Sequence, residues 1–144
     1  PVGELLRTDQ LVHALKEDFT LLRPTARLLL DCDPAVESRL LKVDNTLRQA
    51  LLNLLNNAAD VSPGQVSLHA GWQDDCVVLD ILDRGPGLQR GPGVAGSTGM
   101  GIGLLLANAS IERASGSVYA THRDGGGTLV RVTLPVASPV GIPV

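Results

Sequence analysis

The clearest pattern in the sequence is the stretch NTLRQALLNLLNNAADV, residues 45–61. Its apolar residues recur at intervals of three and four, which places them on one face of an α-helix. These residues are Leu47, Ala50, Leu51, Leu54, Leu55, Ala58 and Val61. Asp44 is suited to cap the start of this helix, and Ser62-Pro63-Gly64 is suited to end it. We therefore predict an amphipathic helix whose apolar face packs on a core.

The opposite face of this predicted helix is rich in side-chain amides. Gln49, Asn53 and Asn57 stand four residues apart and form one stripe, with Asp60 beside it. Asn costs a helix about half a kcal/mol relative to Ala, so repeated Asn residues favour a use for their carbonyl groups. A metal ion or a phosphate fits that use. A solvated polar face is the alternative that the helix alone leaves open.

Two glycine-rich motifs follow the helix. Asp83-Arg84-Gly85-Pro86-Gly87 ends a predicted strand, and its glycines allow the backbone to approach a ligand closely. Gly99-Met100-Gly101-Ile102-Gly103-Leu104 leads into a predicted helix, where backbone N–H groups suit phosphate oxygens. This second motif is neither a Rossmann nor a Walker A motif. A Rossmann motif needs Gly where Leu104 stands, and a Walker A loop needs Lys and then Ser or Thr where Ile102 and Gly103 stand. The glycine-rich stretch over residues 85–103 predicts a lid or binding loop, or else a disordered segment.

Further helices and strands are predicted around these motifs. Thr8 is suited to cap a helix through DQLVHALKEDFTLL that ends before Pro24, and residues 102–114 predict another helix. Residues 26–32 and 38–43 predict two strands that form a hairpin or adjacent pair. Four more strands are predicted at residues 65–72, 75–83, 117–123 and 128–135. Helices on one face of a mixed or antiparallel sheet fit this order better than a doubly wound fold.

The composition limits the class of function. The 144 residues fit one domain, and 44 % hydrophobic residues supply a core. The chain has 12 Lys and Arg against 15 Asp and Glu, with no basic run, so nucleic acid is a poor partner and direct membrane contact is not expected. Cys32 and Cys76 form no metal or disulfide pattern, and we expect both to be buried packing residues.

Four motifs, taken in order, resemble the catalytic domain of sensor histidine kinases in the GHKL nucleotide-binding superfamily. They are LRQALLNLLNNAADVSP, LDILDRGPGL, GMGIGLLLANASIERASG and GGGTLVRVTLP, and the resemblance covers about residues 41–135. It implies the Bergerat fold, a two-layer α/β sandwich whose mixed, mostly antiparallel sheet carries about three helices on one face. We predict this domain at residues 1–136, with a flexible tail at 137–144.

The resemblance also implies ATP and Mg²⁺ as cofactors. It assigns Asn57 to the metal, Asp83 to the adenine amino group and Thr128 to the place beside adenine, and it assigns Asn53 and Gln49 as catalytic residues. The full set implied to bind the nucleotide is Asn53, Asn57, Asp60, Asp83, Gly85, Gly87, Leu88, Gly99, Met100, Gly101, Ile102, Gly103, Leu104 and Thr128. An ionised Asp83 only accepts hydrogen bonds, which favours adenine over guanine. The Asn57 carbonyl is a hard oxygen ligand that suits Mg²⁺.

The activity that the resemblance implies is transfer of the γ-phosphoryl group of ATP to a histidine on a separate dimerisation domain. ATPases of the superfamily carry a general-base Glu where Asn53 stands, and an amide cannot take a proton from water. A nucleotide-binding regulatory module without phosphoryl transfer is one alternative. A serine kinase of the anti-sigma type is another, although that group usually keeps Glu at the position of Asn53.

Partners and location follow from the same resemblance. It implies the kinase's own dimerisation domain, a cognate response regulator acting through that domain, a homodimeric full-length protein, and a cytoplasmic position in a bacterial protein anchored in the inner membrane. The RegB-type redox-responsive sensors are the most similar group. Many relatives hold a basic residue where Asp60 stands, so Arg84 or Arg90 is a candidate to contact phosphate instead. His13, His69 and His122 are expected to be bystanders.

Overall fold

The computed structural model describes residues 3–85 and 107–137. Its strands and helices follow one another as β1 Glu4–Arg7, α1 Thr8–Leu22, β2 Leu28–Cys32, β3 Leu40–Val43, α2 Asn45–Val61, β4 Val66–Gln73, β5 Cys76–Leu82, β6 Ser117–His122 and β7 Thr128–Pro135. Residues 107–113 form a further helical segment. Within the described ranges no helix has the length and hydropathy needed to cross a membrane.

The main sheet has five strands in the order β2-β4-β5-β7-β6. Only β2 and β4 run parallel, and the other neighbouring strands are antiparallel. Strands β1 and β3 form a separate antiparallel pair. The apolar faces of α1 and α2 and one face of the main sheet share one buried core. The predicted two-layer α/β sandwich with a mixed, mostly antiparallel sheet is confirmed.

Helix α2 has the bounds that its apolar spacing predicts. The Asp44 carboxylate accepts a hydrogen bond from the backbone N–H of Leu47 at 2.8 Å, as expected of an N-cap. The helix ends at Val61, and the N–H of its C-cap residue Ser62 donates to the Ala58 carbonyl. Leu51, Leu54 and Leu55 are fully buried in the core. The amide-bearing face of α2 therefore points away from the core.

Replacing Asp44 by alanine is expected to destabilise the chain by about 1 kcal/mol, because one N–H at the start of α2 loses its acceptor. Asp44→Asn keeps a carbonyl acceptor at the same place and is expected to lose much less. Urea denaturation of both variants measures the difference. Equal stability of Asp44→Ala and the unmutated chain would show that the cap contributes nothing.

The prediction that the strands at residues 26–32 and 38–43 form a hairpin or adjacent pair is wrong. β2 pairs in parallel with β4, and β3 pairs with β1. The turn after Asp33 does form, since the Asp33 side chain accepts from the Ala35 N–H and its carbonyl accepts from the Val36 N–H. Long-range burial instead decides which strand pairs with β2, because it places Leu28 in the core beside Val66 of β4. The exposed strand β1 was not predicted at all.

The cap of α1 is also corrected. Thr8 is the first helical residue and is fully buried, while Arg7 occupies the N-cap position. The Thr8 hydroxyl donates to the Arg39 carbonyl at 2.9 Å, and the Gln10 side chain accepts from the Arg7 N–H at 2.9 Å. Thr8 therefore serves a tertiary contact to the segment before β3, which local sequence cannot indicate.

Candidate functional site

Asp83 stands directly after β5 and is 1 % exposed. Its Oδ1 accepts hydrogen bonds from the backbone N–H groups of Gly85, at 2.9 Å, and Thr128, at 3.2 Å. The Asp83 N–H donates in turn to the Thr128 carbonyl at 3.0 Å. Thr128 begins the neighbouring strand β7 and is also buried. The structure thus brings together the two residues predicted to lie beside adenine, and it holds the carboxylate in one orientation.

A turn of three glycines lies against Asp83. Gly125, Gly126 and Gly127 have φ values of 83°, 104° and 102°, a region that favours glycine. A Cβ atom on Gly127 would lie 2.0 Å from the Asp83 carbonyl oxygen. This close approach of two backbones requires glycine at position 127.

Two arginines join this turn to Asp83. The Nη1 of Arg84 donates to the carbonyls of Asp124, at 2.9 Å, and Gly126, at 2.8 Å. The Nη1 of Arg123 donates to the Asp83 carbonyl at 2.8 Å. Arg84 is therefore bonded to the turn. Sequence reasoning did not select Arg123, because nothing local to it distinguishes a surface arginine from one that reaches a strand end 40 residues away.

The first part of the amide-bearing face of α2 borders a cavity of about 310 Å³. Gln49 and Asn53 line it together with Asn45 and Thr46, and Ala107 and Ser110 line it from the helical segment. Both predicted catalytic residues therefore border the same space.

Asn57, the predicted metal ligand, lies farther along α2. Its Nδ2 atom is buried and has no hydrogen-bond partner among the residues that the structure describes. A buried amide group without a partner costs about 1–3 kcal/mol. Rotation of the amide by 180° would put its carbonyl oxygen where Nδ2 stands. Asn57 is thus suited to a group that the protein itself does not supply within these residues.

Asp60 is exposed and forms an ion pair with Arg23, which follows the end of α1. The Arg23 guanidinium donates Nη2–H to Asp60, in a very short contact, and Nε–H to Asn56 Oδ1 at 2.9 Å. The acidic charge on the amide-bearing face is therefore neutralised locally. Sequence reasoning missed Arg23, since 37 residues separate it from Asp60.

Gly85 packs against the end of α2. A Cβ atom at this position would lie 2.6 Å from Cγ2 of Val61 and 2.8 Å from its Cβ. The glycine predicted for close approach to a ligand is thus also needed for close approach of the strand end to the helix. This contact ties the Asp83 segment to α2.

Gly85→Ala is expected to destabilise the chain by about 1–3 kcal/mol, because the added methyl group overlaps the Val61 side chain. Val61→Ala in the same chain should recover part of the loss, since it removes Cγ2. Thermal unfolding of the single and double variants measures this coupling. Gly64→Ala, where a Cβ meets no atom within 4 Å, is the matched control. Equal Tm values for Gly85→Ala and Gly64→Ala would contradict the packing argument.

The other predicted nucleotide contacts lie outside the described residues. They are Gly87, Leu88, Gly99, Met100, Gly101, Ile102, Gly103 and Leu104. Arg90 lies outside them too.

The cysteines and two of the histidines lie apart from these contacts. His69 pairs with Asp31 at 2.7 Å on the outer sheet face, and His13 contacts the Asp9 carbonyl. Cys32 and Cys76 are half-buried and not joined in a disulfide, so the prediction that they are buried is only partly right. Burial raises the pKa of the Cys32 thiol, and four nearby carboxylates raise it further.

Comparison with known proteins defines the class. Residues 42–138 match the family described as "Histidine kinase-, DNA gyrase B-, and HSP90-like ATPase", so the chain belongs to this family. The sensor protein KdpD of Rathayibacter rathayi is 34 % identical over 125 residues, which are 78 % of this chain and 14 % of that protein. KdpD of Escherichia coli K12 is 32 % identical over 111 residues, 67 % of this chain and 12 % of that protein.

Solved structures agree on the fold. The mycobacterial sensor histidine kinase MprB superimposes with a TM-score of 0.71 at 22 % identity, covering 94 % of this chain and 98 % of that one. The catalytic domain of histidine kinase ThkA gives 0.71 at 18 % identity, covering 92 % and 96 %. The chain spans only about an eighth of the length of the KdpD relatives. It is therefore a histidine-kinase-like ATPase domain, similar to one part of those larger sensor proteins.

Proposed function

We propose that this chain binds ATP with Mg²⁺ and donates the γ-phosphoryl group to a histidine on a separate dimerisation domain. The observation that carries the proposal is the buried Asp83 carboxylate, held by the Gly85 and Thr128 N–H groups in a chain of the ATPase family. A structural relative, full-length ShkA, was solved in complex with AMPPNP. That complex supports an adenine nucleotide as the ligand of this fold.

Adenine selection follows from the chemistry of Asp83. An ionised carboxylate has acceptors only, so it suits the exocyclic amino group of adenine and opposes the carbonyl oxygen of guanine. Because Asp83 is almost fully buried, an unmatched partner there would leave a polar group without a hydrogen bond. We therefore expect ATP to be bound in clear preference to GTP.

Asn57 is the residue that would hold Mg²⁺. Its buried Nδ2 lacks a partner among residues 3–85 and 107–137, and rotation of the amide would put there the carbonyl oxygen, a suitable ligand for this cation. In the same part of the chain no cluster of His, Cys, Asp or Glu is able to hold a metal ion. The ion would supply charge neutralisation for the triphosphate.

Phosphoryl transfer here depends on positioning. Gln49 and Asn53 border the cavity beside α2 and offer amides, which orient groups by hydrogen bonds and do not act as general bases. This supports transfer to a histidine over hydrolysis by water. Arg23 balances the charge of Asp60, so the amide-bearing face does not repel a triphosphate.

The proposal extends to the longer protein. Its further parts are domain boundaries of 1–136 with a tail at 137–144, a homodimeric full-length kinase, a response regulator, and an inner-membrane anchor with this domain in the cytoplasm. Closer similarity to the redox-responsive RegB-type sensors also stays a prediction. The raised pKa of the Cys32 thiol keeps it protonated at neutral pH, which argues against Cys32 as a redox sensor.

The test is calorimetric titration of the chain with ATP, with and without Mg²⁺, and with GTP as the control. Incubation with γ-labelled ATP and a purified histidine-kinase dimerisation domain follows. ATP binding that Mg²⁺ strengthens, together with acid-labile label on the added domain, is the expected result. ATP binding without transfer would favour the regulatory module. Acid-stable label on serine would favour the anti-sigma type of kinase. No binding of either nucleotide would overturn the proposal.

A further inference from the structure

Two arginines form hydrogen bonds between the Asp83 segment and the glycine turn, one from each side. Arg84 follows β5 and bonds the carbonyls of Asp124 and Gly126 in the turn, at 2.9 and 2.8 Å. Arg123 lies in the turn and bonds the carbonyl of Asp83 at 2.8 Å. Each side chain therefore ties its own segment to the other one. We call Arg84 and Arg123 the arginine clasp.

The glycine turn needs such an attachment. Gly127 has to be glycine, because a Cβ there would meet the Asp83 carbonyl oxygen at 2.0 Å. Three successive glycines, however, lose more conformational entropy on folding than any other tripeptide. Among the described residues, the backbone hydrogen bonds at this turn run from the N–H of Asp83 to the Thr128 carbonyl, from Arg123 to Gly127 and from Gly126 to Arg123, and the Thr128 N–H donates to the Asp83 side chain. The clasp adds three hydrogen bonds across the same gap.

The clasp forms against electrostatic repulsion. Burial and the neighbouring charge of Arg84 both lower the pKa of Arg123, and the Asp83 carboxylate partly offsets them. Two guanidinium groups at close range are unfavourable unless hydrogen bonds compensate them. Here the compensating acceptors are backbone carbonyls, whose positions depend on the conformation of the turn and of the strand end. The arrangement is therefore specific to this backbone geometry.

We propose that Arg84 and Arg123 are positioning residues for recognition of the adenine base. They hold the main chain of Asp83 and the start of β7 at one separation, so the carboxylate and Thr128 stay at the distance that the base requires. The inference rests on the proposed function, and it gives Arg123 and Arg84, the latter a candidate phosphate contact from sequence, a role at the base end of the nucleotide instead.

The test uses Arg84→Met and Arg123→Met in the 144-residue chain, titrated by calorimetry with ATP, ADP and adenosine. Each variant is expected to weaken binding of all three ligands by about the same factor, roughly tenfold, because the clasp acts at the base end of the nucleotide. Arg84→Lys keeps a charged donor near the turn and is expected to recover part of the loss. Arg84→Lys and the corresponding Arg123→Lys replace the Met variants if these fail to fold.

Arg131→Met is the matched control. Arg131 is bonded to Asp80 at 2.7 and 2.8 Å on the outer face of the sheet, away from Asp83 and the glycine turn. This variant should therefore lower Tm without changing any Kd. A clasp variant that does the same, with lower Tm and unchanged Kd, would overturn the inference. A loss that grows from adenosine to ATP would also overturn it, since that pattern means direct phosphate contact. If the unmutated chain binds none of the ligands, the proposed function itself fails.

Discussion

Gly127→Ala is expected to be the most destabilising single methyl addition in the described site, with a loss of about 3–5 kcal/mol. The new Cβ would overlap the Asp83 carbonyl oxygen at 2.0 Å and approach Cα of Arg84 at 2.9 Å, both of them backbone atoms. A backbone clash cannot be relieved by a side-chain rotation. The turn would have to move away from β5, which would break the contacts between Asp83 and Thr128.

Gly126→Ala separates this clash from the cost of backbone conformation. Gly126 has a φ of 104°, close to the 102° of Gly127, but a Cβ there meets nothing within 4 Å. Its expected loss is only the cost of a left-handed residue, about 1–2 kcal/mol. Urea denaturation of both variants gives the two free energies of unfolding. Equal losses would mean that the close approach of the turn to Asp83 contributes nothing.

The second large effect is expected at Asp83. Asp83→Asn should reduce ATP affinity by about 100-fold or more while leaving the chain folded. The Asn carbonyl oxygen is able to keep the hydrogen bonds from Gly85 and Thr128, so the local structure has the acceptor it needs. The other carboxylate oxygen becomes an NH₂ group, which faces the adenine amino group as donor against donor.

Asp80→Asn is the control for this substitution. Asp80 lies on the same strand β5 with a side chain 13 % exposed, but it faces the outer side of the sheet and binds Arg131. This variant is expected to lose stability because it breaks a charged pair, and to keep its Kd for ATP. Calorimetry gives Kd, and circular dichroism on heating gives Tm. Unchanged ATP affinity in Asp83→Asn would remove Asp83 from nucleotide recognition.

The elements that sequence predicts correctly are those with strong local patterns. α2 has its bounds because seven apolar residues at helical spacing lie between a capping Asp44 and Ser62-Pro63-Gly64. The β6–β7 hairpin forms where the glycine turn breaks two β-rich runs. The resemblance implies a place beside adenine for Asp83 and for Thr128 separately, and the structure shows that the two residues are in contact.

Where sequence prediction failed, the partners are far apart along the chain. β2 has the same local pattern whether it pairs with β3 or β4, and burial of Leu28 beside Val66 decides for β4. Arg23 and Arg123 look like surface arginines in sequence. Only folding brings Arg23 to Asp60 and Arg123 to the Asp83 carbonyl.

The sequence by itself determined the secondary structure of the core, the class of fold and the residue types available for a nucleotide, because helix periodicity, caps and glycine motifs are local properties of the chain. Tertiary structure alone decided which strands pair, which arginines neutralise or position the acidic residues, and why Gly85 and Gly127 have to be glycine. Those outcomes depend on distances between segments that are far apart along the chain, and such distances are set by packing of the whole core.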